Sequence, residues 1–487
     1  MNIKSKTIVI LIVMLLLPSF MVPSVSAAPY VGYNYSYWEK AEPSPVPYVP
    51  ELVIDGIGEE YGTFSSPEDL YVRDNLIYIL DTGNNRIVIL NDQYELVSEI
   101  TEFNNNGQID NFNSPFGIFV TEEHHIYVAD TNNRRIVHLD ENGDFIREIG
   151  PPEADVIREG LEYRPIKLSV DRAKRIYVIG RGIYDGIIEF DSDGVFTGYT
   201  GAPRVSFNPI DLFWRAIATR EQRARMSLFI PIEFNSIDVD EEGFLYTTNV
   251  ENSSTPVQRL NATGADIIRR EGYHPIIGDI DYPFRGLQSG RTTFVDITAN
   301  EYGMYSVLDS RRGRIFTYDE DGNLLYIFGS LGDQVGTFAT PVAVETLGDK
   351  ILTLDKGNHN LVVFKPTAFG ENVNKAVMYY NRGDEEQSAA YWREVLRLDA
   401  NYEVAYVGIG KSLLADGKNE EALSYFENGN SRLYYSKAFK RHRQEVLREN
   451  FGTIMTTIVL VGVAYMGFRT VKSVRRRRAE SHVERAS

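Results

Sequence analysis

No cysteine occurs among the 487 residues, and that absence removes more chemistry than any other feature of the composition. Zinc fingers and RING domains, iron–sulfur clusters, thiol nucleophiles and every disulfide are excluded. Cations are outnumbered, with 50 Lys and Arg against 68 Asp and Glu. The net charge of −18 excludes a general nucleic-acid binder, because binding phosphates needs a basic surface. Reactive motifs are missing too: no Gly-x-Ser-x-Gly elbow, no phosphate-binding glycine loop, no His-Glu-x-x-His. No catalytic residue, cofactor-binding residue or cofactor is therefore assigned, and the chain reads as a binding module.

Aromatic residues are plentiful, with 30 Tyr and 25 Phe, which favours a β-rich fold over a helical bundle. The length accommodates two to four domains, or one repeat array with an appendage.

Both ends carry membrane signals. Lys4 and Lys6 precede an apolar run from Ile8 to Leu17, and Val25 and Ala27 place small residues at a signal-peptidase site. Residues 1–27 are expected to be a signal peptide cut after Ala27. Near the other end, Gly452 to Phe468 is a 17-residue stretch without a charge, at the lower limit for a spanning helix. Arg469, Lys472 and Arg475 to Arg478 follow it and hold that side in the cytoplasm, so 469–487 reads as a basic cytoplasmic tail. Lys440, Arg441, Arg443 and Arg448 on the other side weaken the asymmetry. The tail has seven Lys and Arg and two Glu, and the signal peptide two Lys, so the remainder carries −25. The expected arrangement is an acidic ectodomain outside a bacterial cell membrane on a single C-terminal span.

The middle of the chain repeats. Ile77-Tyr-Ile-Leu-Asp81-Thr-Gly-Asn-Asn-Arg86-Ile-Val has a near copy in Ile126-Tyr-Val-Ala-Asp130-Thr-Asn-Asn-Arg-Arg135-Ile-Val, 49 residues on. Each copy follows a similar lead strand, Ser66-Pro67-Glu-Asp-Leu-Tyr-Val and Ser114-Pro115-Phe-Gly-Ile-Phe-Val. Weaker copies begin at Arg164-Pro165, Asn235, Phe294 and Thr340-Pro341. Each unit is a set of short β-type runs separated by Gly, Asn and Asp turns. Six such sheets cannot bury their faces alone, and packed radially they form a six-bladed propeller over residues 51–367. The last unit supplies only three strands, so the orphan run Glu51 to Asp55 is expected to complete it and close the ring.

These units resemble NHL repeats. Asp81/Arg86, Asp130/Arg135 and Asp309/Arg314 keep the family's acid–Arg spacing; Asp355 keeps the acid, with Asn360 in the Arg place, while Gly180 and Asn249 depart. The pair reads as structural, the acid accepting turn N–H groups and the Arg tying the strands together. Two insertions interrupt the ring. Gly201 to Pro231 has a basic amphipathic pattern around Trp214, and Arg269 to Arg291 contains Tyr273-His274-Pro275. Long insertions of this kind shape binding sites on one face.

After Gly370 the period becomes helical. Tyr406, Ile409, Gly410, Leu413, Ala422 and Phe426 fall at tetratricopeptide offsets, matched 34 residues earlier by Ala376, Tyr379 and Trp392, with Ser388 in place of the usual Ala. Residues 371–450 thus resemble two such repeats and a capping helix, able to dock a membrane partner such as a transporter component.

Three features remain. His124-His125 is the one adjacent His pair and reads as a solvated turn tip; His138, His274 and His359 are scattered. Tyr30, Tyr33, Tyr35, Tyr37 and Trp38 open a Tyr/Pro-rich leader, residues 28–50, which either stacks on sugars or staples itself to the ring. Propeller lactonases and related hydrolases hold a divalent cation in the channel with carboxylates and Asn from several blades. Abundant Asp and Asn keep that alternative and its metal open. The favoured function is a membrane-anchored extracellular interaction protein, its propeller presented to a protein or glycan.

Overall fold

In the middle of each repeat the second strand is buried along nearly its whole length, as in Ile126–Asp130, where every residue is buried. Such a strand is covered on both faces by neighbouring sheets. The outermost strands alternate instead, as in Phe145–Ile149, where exposed residues face solvent. The computed structural model, which describes residues 28–153, 162–201, 233–249, 255–283, 285–286 and 288–484, arranges these meanders as a six-bladed β-propeller followed by six helices. Blades 1 to 6 cover residues 69–100, 117–149, 165–200, 234–260, 294–328 and 341–366. The innermost strand of each blade packs beside that of the next, and the sixth beside the first, so six strands wall a central channel. The face where these strands begin is called upper here.

Ring closure follows the strand count. Tyr48–Ile54 pairs antiparallel with Asn360–Pro366, with Ile54 opposite Leu361 and Val53 opposite Val362. The leader is a second closure. Tyr33–Tyr35 and Ala41–Pro43 form a hairpin that adds to the outer edge of blade 5, making a six-stranded sheet. The edge strand they cover, Leu324–Phe328, is buried at every residue.

The acid–Arg motif ties strands and blades together. Asp130 accepts the Asn113 N–H at 2.7 Å, the Asn133 amide at 2.8 Å and Arg135 Nε at 2.9 Å. Arg135 continues to Asp110 and Glu148. Thr131 donates to the carbonyl of Pro165 at 2.6 Å, and Thr82 to that of Pro115 at the same distance, so the residue after the acid reaches the next blade. The expected Asp309–Arg314 pair does not form. Arg314 turns to Asp279, in the second insertion, while Arg312 takes Asp309 at 3.4 Å. Tyr33 and Tyr35 donate their hydroxyls to the same Asp279, and Tyr35 stacks on His274. An acid supplied by the insertion thus captures the blade's Arg and fastens the leader.

The helices are α1 (Ala368–Asn381), α2 (Glu385–Leu398), α3 (Glu403–Ala415), α4 (Asn419–Asn428), α5 (Arg432–Glu449) and α6 (Phe451–Glu484). Thr367 and Asp384 cap α1 and α2 through their side chains. Gly383 and Gly417 take positive φ in the turns. Gly410 is fixed by packing, because a Cβ there would lie 2.6 Å from the Phe426 ring. These helices share one core with blades 5 and 6: Phe369, Val373, Trp392 and Tyr402 pack with Tyr48, Tyr326, Phe328 and Phe364. Tyr402 donates to the Leu325 carbonyl at 2.6 Å. Within α6, Phe451–Arg476 is long and apolar enough to cross a membrane, and its most apolar stretch is unburied. Thr456 and Thr457 bond back to the carbonyls of Gly452 and Thr453.

Asp130→Ala removes three hydrogen bonds and one of the three carboxylate partners of Arg135, so it should lower unfolding free energy by about 2 kcal/mol, and Thr131→Val by about 1 kcal/mol. Urea unfolding of the two variants checks the ordering; equal, negligible effects would remove the tie between blades.

Candidate functional site

Alternation along the inner strands aims every second residue into the channel. At one level these positions are Asp69, Gly117, Lys167, Ser236, Asp296 and Ala343 from blades 1 to 6, and at the next they are Tyr71, Phe119, Ser169, Asp238, Thr298 and Glu345. Lys167 reaches from blade 3 to Asp69 of blade 1, at 2.5 Å, and to Asp296 of blade 5, at 2.9 Å. Gly117 leaves the room this requires, since a Cβ there would lie 2.9 Å from the Lys167 Cα.

The remaining carboxylate oxygens face backbone. Asp69 accepts the N–H of Ile118, Asp296 that of Val344 and Asp238 that of Ala299, in each case from the following blade's inner strand. Ser236 adds a hydroxyl to Asp296 at 2.6 Å, and Thr298 one to Glu345 at 3.0 Å. Four carboxyls from four blades do converge, as a cation site of the hydrolase type would require. Their centre, however, is held by the Lys167 ammonium and their outer oxygens by N–H groups. The space left among Asp69, Lys167, Asp296 and Glu345 is about 10 Å³, near the least that admits one water. This donor set does not fit a divalent cation. Burial lifts the Asp69 carboxyl to about 7, against the pull of Lys167, and the Asp238 carboxyl to about 6. Glu345 is raised well above its usual range by burial and by the facing Asp238 and Asp296.

At the lower face, between blades 2, 3 and 4, lies a cavity of about 300 Å³. His125, assigned to a solvated tip, instead turns inward: its Nδ1 lies 2.9 Å from His138 Nε2, and His138 stacks on Tyr127. Burial, with Arg147 nearby, lowers His138 to about 3, so this imidazole is neutral. His124 lies beside Tyr78 and Asp74. His359 accepts the Ser66 N–H, and His274 is buried beneath Tyr35. Among the described residues no three His, Asp or Glu side chains form a metal-binding group.

A second cavity, about 310 Å³, opens at the seam between blade 5 and the helices. Tyr37, Tyr273, Tyr380, Trp392 and Tyr434 line it. Lys411 sits between the Tyr380 and Tyr434 rings and pairs with Asp321 at 3.1 Å. Although burial works against its charge, Asp321 and the two tyrosines hold Lys411 above the ordinary lysine range. Gly408 makes space for the Trp392 indole, since a Cβ would lie 2.2 Å from its Nε1. The leader contributes Tyr37, whose N–H is accepted by Glu403 at 2.7 Å.

Sequence spacing indicated neither Lys167 nor this seam, although a lysine at an inward-facing inner-strand position was a readable signal. The first insertion's helical pattern, apart from Gly201, lies outside the described residues.

The NHL repeat family profile matches residues 64–90. The comparison with curated proteins gave no match. Among solved structures, the chain is similar to a streptogramin B lyase at 12% identity and TM-score 0.40, over 62% of this chain and 94% of that one. It is similar to virginiamycin B lyase from Staphylococcus aureus at 12% and 0.40, over 64% and 98%. A candidate gluconolactonase gives 12% and 0.40, over 69% and 98%.

Two measurements address the channel. Unfolded carboxyls release protons near pH 4, whereas folded Asp238 and Asp69 keep theirs to about 6 and 7. The native state therefore binds more protons across that window, and stability should fall as pH rises from about 4 to about 7. Glu345→Gln should flatten the decline. Lys167→Met, which strands two buried carboxylates, should cost about 3–5 kcal/mol at neutral pH and less at pH about 5. A Lys167→Met protein as stable as the parent at neutral pH would mean the ammonium does not organise the ring.

Proposed function

We propose that the chain is a recognition module held at the outer surface of a bacterial cell membrane. In this reading residues 1–27 direct export and are removed, and 28–450 form an ectodomain of NHL-type propeller and tetratricopeptide-like helices. One span and a basic cytoplasmic tail complete it. The observation that carries the reading is the aromatic seam, a cavity of about 310 Å³ between ring and helices. Tyrosine faces with a cation and several carboxylates around them suit a sugar ring or a peptide side chain, through stacking and hydrogen bonds that need no reactive group. Helices α1 to α4 provide a further surface for a membrane partner such as a transporter component.

The rival is a metal-dependent propeller hydrolase or lactonase. It is the weaker reading because Asp69, Asp238 and Asp296 are already engaged by Lys167 or by backbone N–H groups, and Glu345 by the Thr298 hydroxyl.

Topology and binding can be tested on the same protein. The natural chain has no Cys, so single cysteines report cleanly. An impermeant maleimide should label Asn142→Cys in intact cells and Ser473→Cys only after lysis; the reverse pattern would overturn the anchored topology. Full-length protein should capture an envelope protein or glycan, and Tyr380→Ala should weaken capture about tenfold, equivalent to about 1.4 kcal/mol. Calcium-dependent lactone turnover that disappears in Asp296→Asn would instead establish the hydrolase.

A further inference from the structure

Helix α5 holds six cations, Arg432, Lys437, Lys440, Arg441, Arg443 and Arg448, against two acids, Glu445 and Glu449. It ends one residue before the candidate span. Cations beside a span normally mark the cytoplasmic side, and here they stand on the opposite side from the tail. The ectodomain they belong to is otherwise strongly acidic.

The packing of α5 divides these residues. One face meets the helices: Ala438 is buried, Arg441 donates to the Leu414 carbonyl at the end of α3, and Glu445 accepts the Asn419 amide. The rest of its surface is uncovered. Tyr435, Phe439 and Val446 fall at helical spacings of four and seven and are 38%, 47% and 42% exposed, with Leu447 at 51% on the neighbouring strip. Arg443 adjoins this stripe, Lys440 adjoins Leu447 and Arg448 stands at the far edge of the uncovered side; all three are exposed and make no hydrogen bond or ion pair among the described residues. An apolar stripe bordered by unpaired cations is the pattern of a helix lying in a membrane interface. Long basic side chains there reach headgroup phosphates while their stems cover apolar surface.

We infer that this free face of α5 docks on anionic phospholipid headgroups of the leaflet next to the ectodomain. The inference rests on the membrane-anchored reading above. Two observations select lipid as the occupant. The helix is tethered one residue from the span, so headgroups are its nearest neighbours. Its unpaired charge is positive, whereas the rest of the exported chain is negative and would be repelled by an anionic surface. The geometry makes a definite demand. A helix continuing straight from the span would hold Phe439 about 18 Å above the first residue of α6. Docking therefore requires a bend at Asn450, which lies outside both helices at φ −96° and ψ 4°.

The test uses the full chain in lipid nanodiscs, one set of phosphatidylcholine and one of equal parts phosphatidylcholine and phosphatidylglycerol. Phe439→Cys and, as an in-span control, Val459→Cys carry an environment-sensitive fluorophore, quenched by a lipid spin-labelled near the headgroup or deep in the chain. Val459→Cys should be quenched in both sets, by the deep label. Phe439→Cys should be quenched by the shallow label in the anionic discs only, and the quenching should be lost in high salt and in Lys440→Glu/Arg443→Glu/Arg448→Glu. Unchanged thermal melting of that triple variant would show that the fold is intact. An unquenched Val459→Cys overturns the anchor itself. A quenched Val459→Cys with an unquenched Phe439→Cys in anionic discs overturns the docking alone. Cross-linking between copies at Phe439→Cys in place of lipid quenching assigns the face to a second copy and overturns it equally.

Discussion

Closure of the ring without a covalent bond is the constraint on which the rest of the molecule depends. A propeller must join its last blade to its first, and this Cys-free chain does so by pairing Tyr48–Ile54 with Asn360–Pro366 across more than 300 residues. The loop-closure entropy of such a contact grows only slowly with length, but the contact must compete with fraying at a chain end. The hairpin just before the closing strand counters that fraying. Its Tyr33 and Tyr35 anchor on Asp279, its Tyr37 N–H on Glu403, and its strands cover the edge of blade 5. One N-terminal segment thus seals the ring, caps an edge strand and fixes the helices. Those three parts are therefore expected to unfold as a unit rather than as separable domains.

The channel solves a related problem from inside. Six inner strands converge, and their backbone N–H groups need partners where adjacent blades cannot offer regular ladders. Asp69, Asp238 and Asp296 supply those partners by accepting an N–H from the next blade. Gathering carboxyls in a narrow space raises their proton affinity, and a single ammonium from Lys167 offsets two of them. A carboxylate ring around the axis is accordingly not by itself a metal site. What separates the two cases is whether the oxygens are free, and here they are engaged.

Much of the ring was readable because its signals are local. The Asp-Thr-x-Asn pattern at Asp81 and Asp130, the alternation of the outer strands and the count of three strands before Pro366 each act within a few residues. The failures share the opposite property. Arg314 abandons Asp309 for Asp279 because an insertion brings a second acid to the blade edge, and nothing near Arg314 announces it. His125 turns inward because His138, on the neighbouring strand, offers a nitrogen at 2.9 Å. The Tyr-rich leader was ambiguous for the same reason, since its partners lie some 240 residues away. One long-range signal was available after all. Leu324–Phe328 is buried throughout where every other described outer blade strand has exposed residues, which implies a cover beyond the four-stranded blade.

Strand direction also decides what an anchored propeller would present. Inner strands start at the upper face, so the connections between blades lie there, including the part of the second insertion that carries Asp279 to Arg314. The third strand of blade 6 runs away from that face and ends at Pro366, where α1 begins. The helices, and with them the candidate span, therefore leave from the lower side. If α5 lies on the bilayer, the lower face with the His125–His138 cavity turns towards the membrane and the described connections between blades turn outward. Sequence variation serving recognition would then be tolerated on the outward connections beyond the positions, such as Thr82 and Thr131, that bond to the next blade. Substitution along the inner strands would disturb the carboxylate–lysine lock instead. In that placement the acidic body would be kept clear of an anionic membrane surface, while the net positive charge of α5 would lie on the helix placed to touch it.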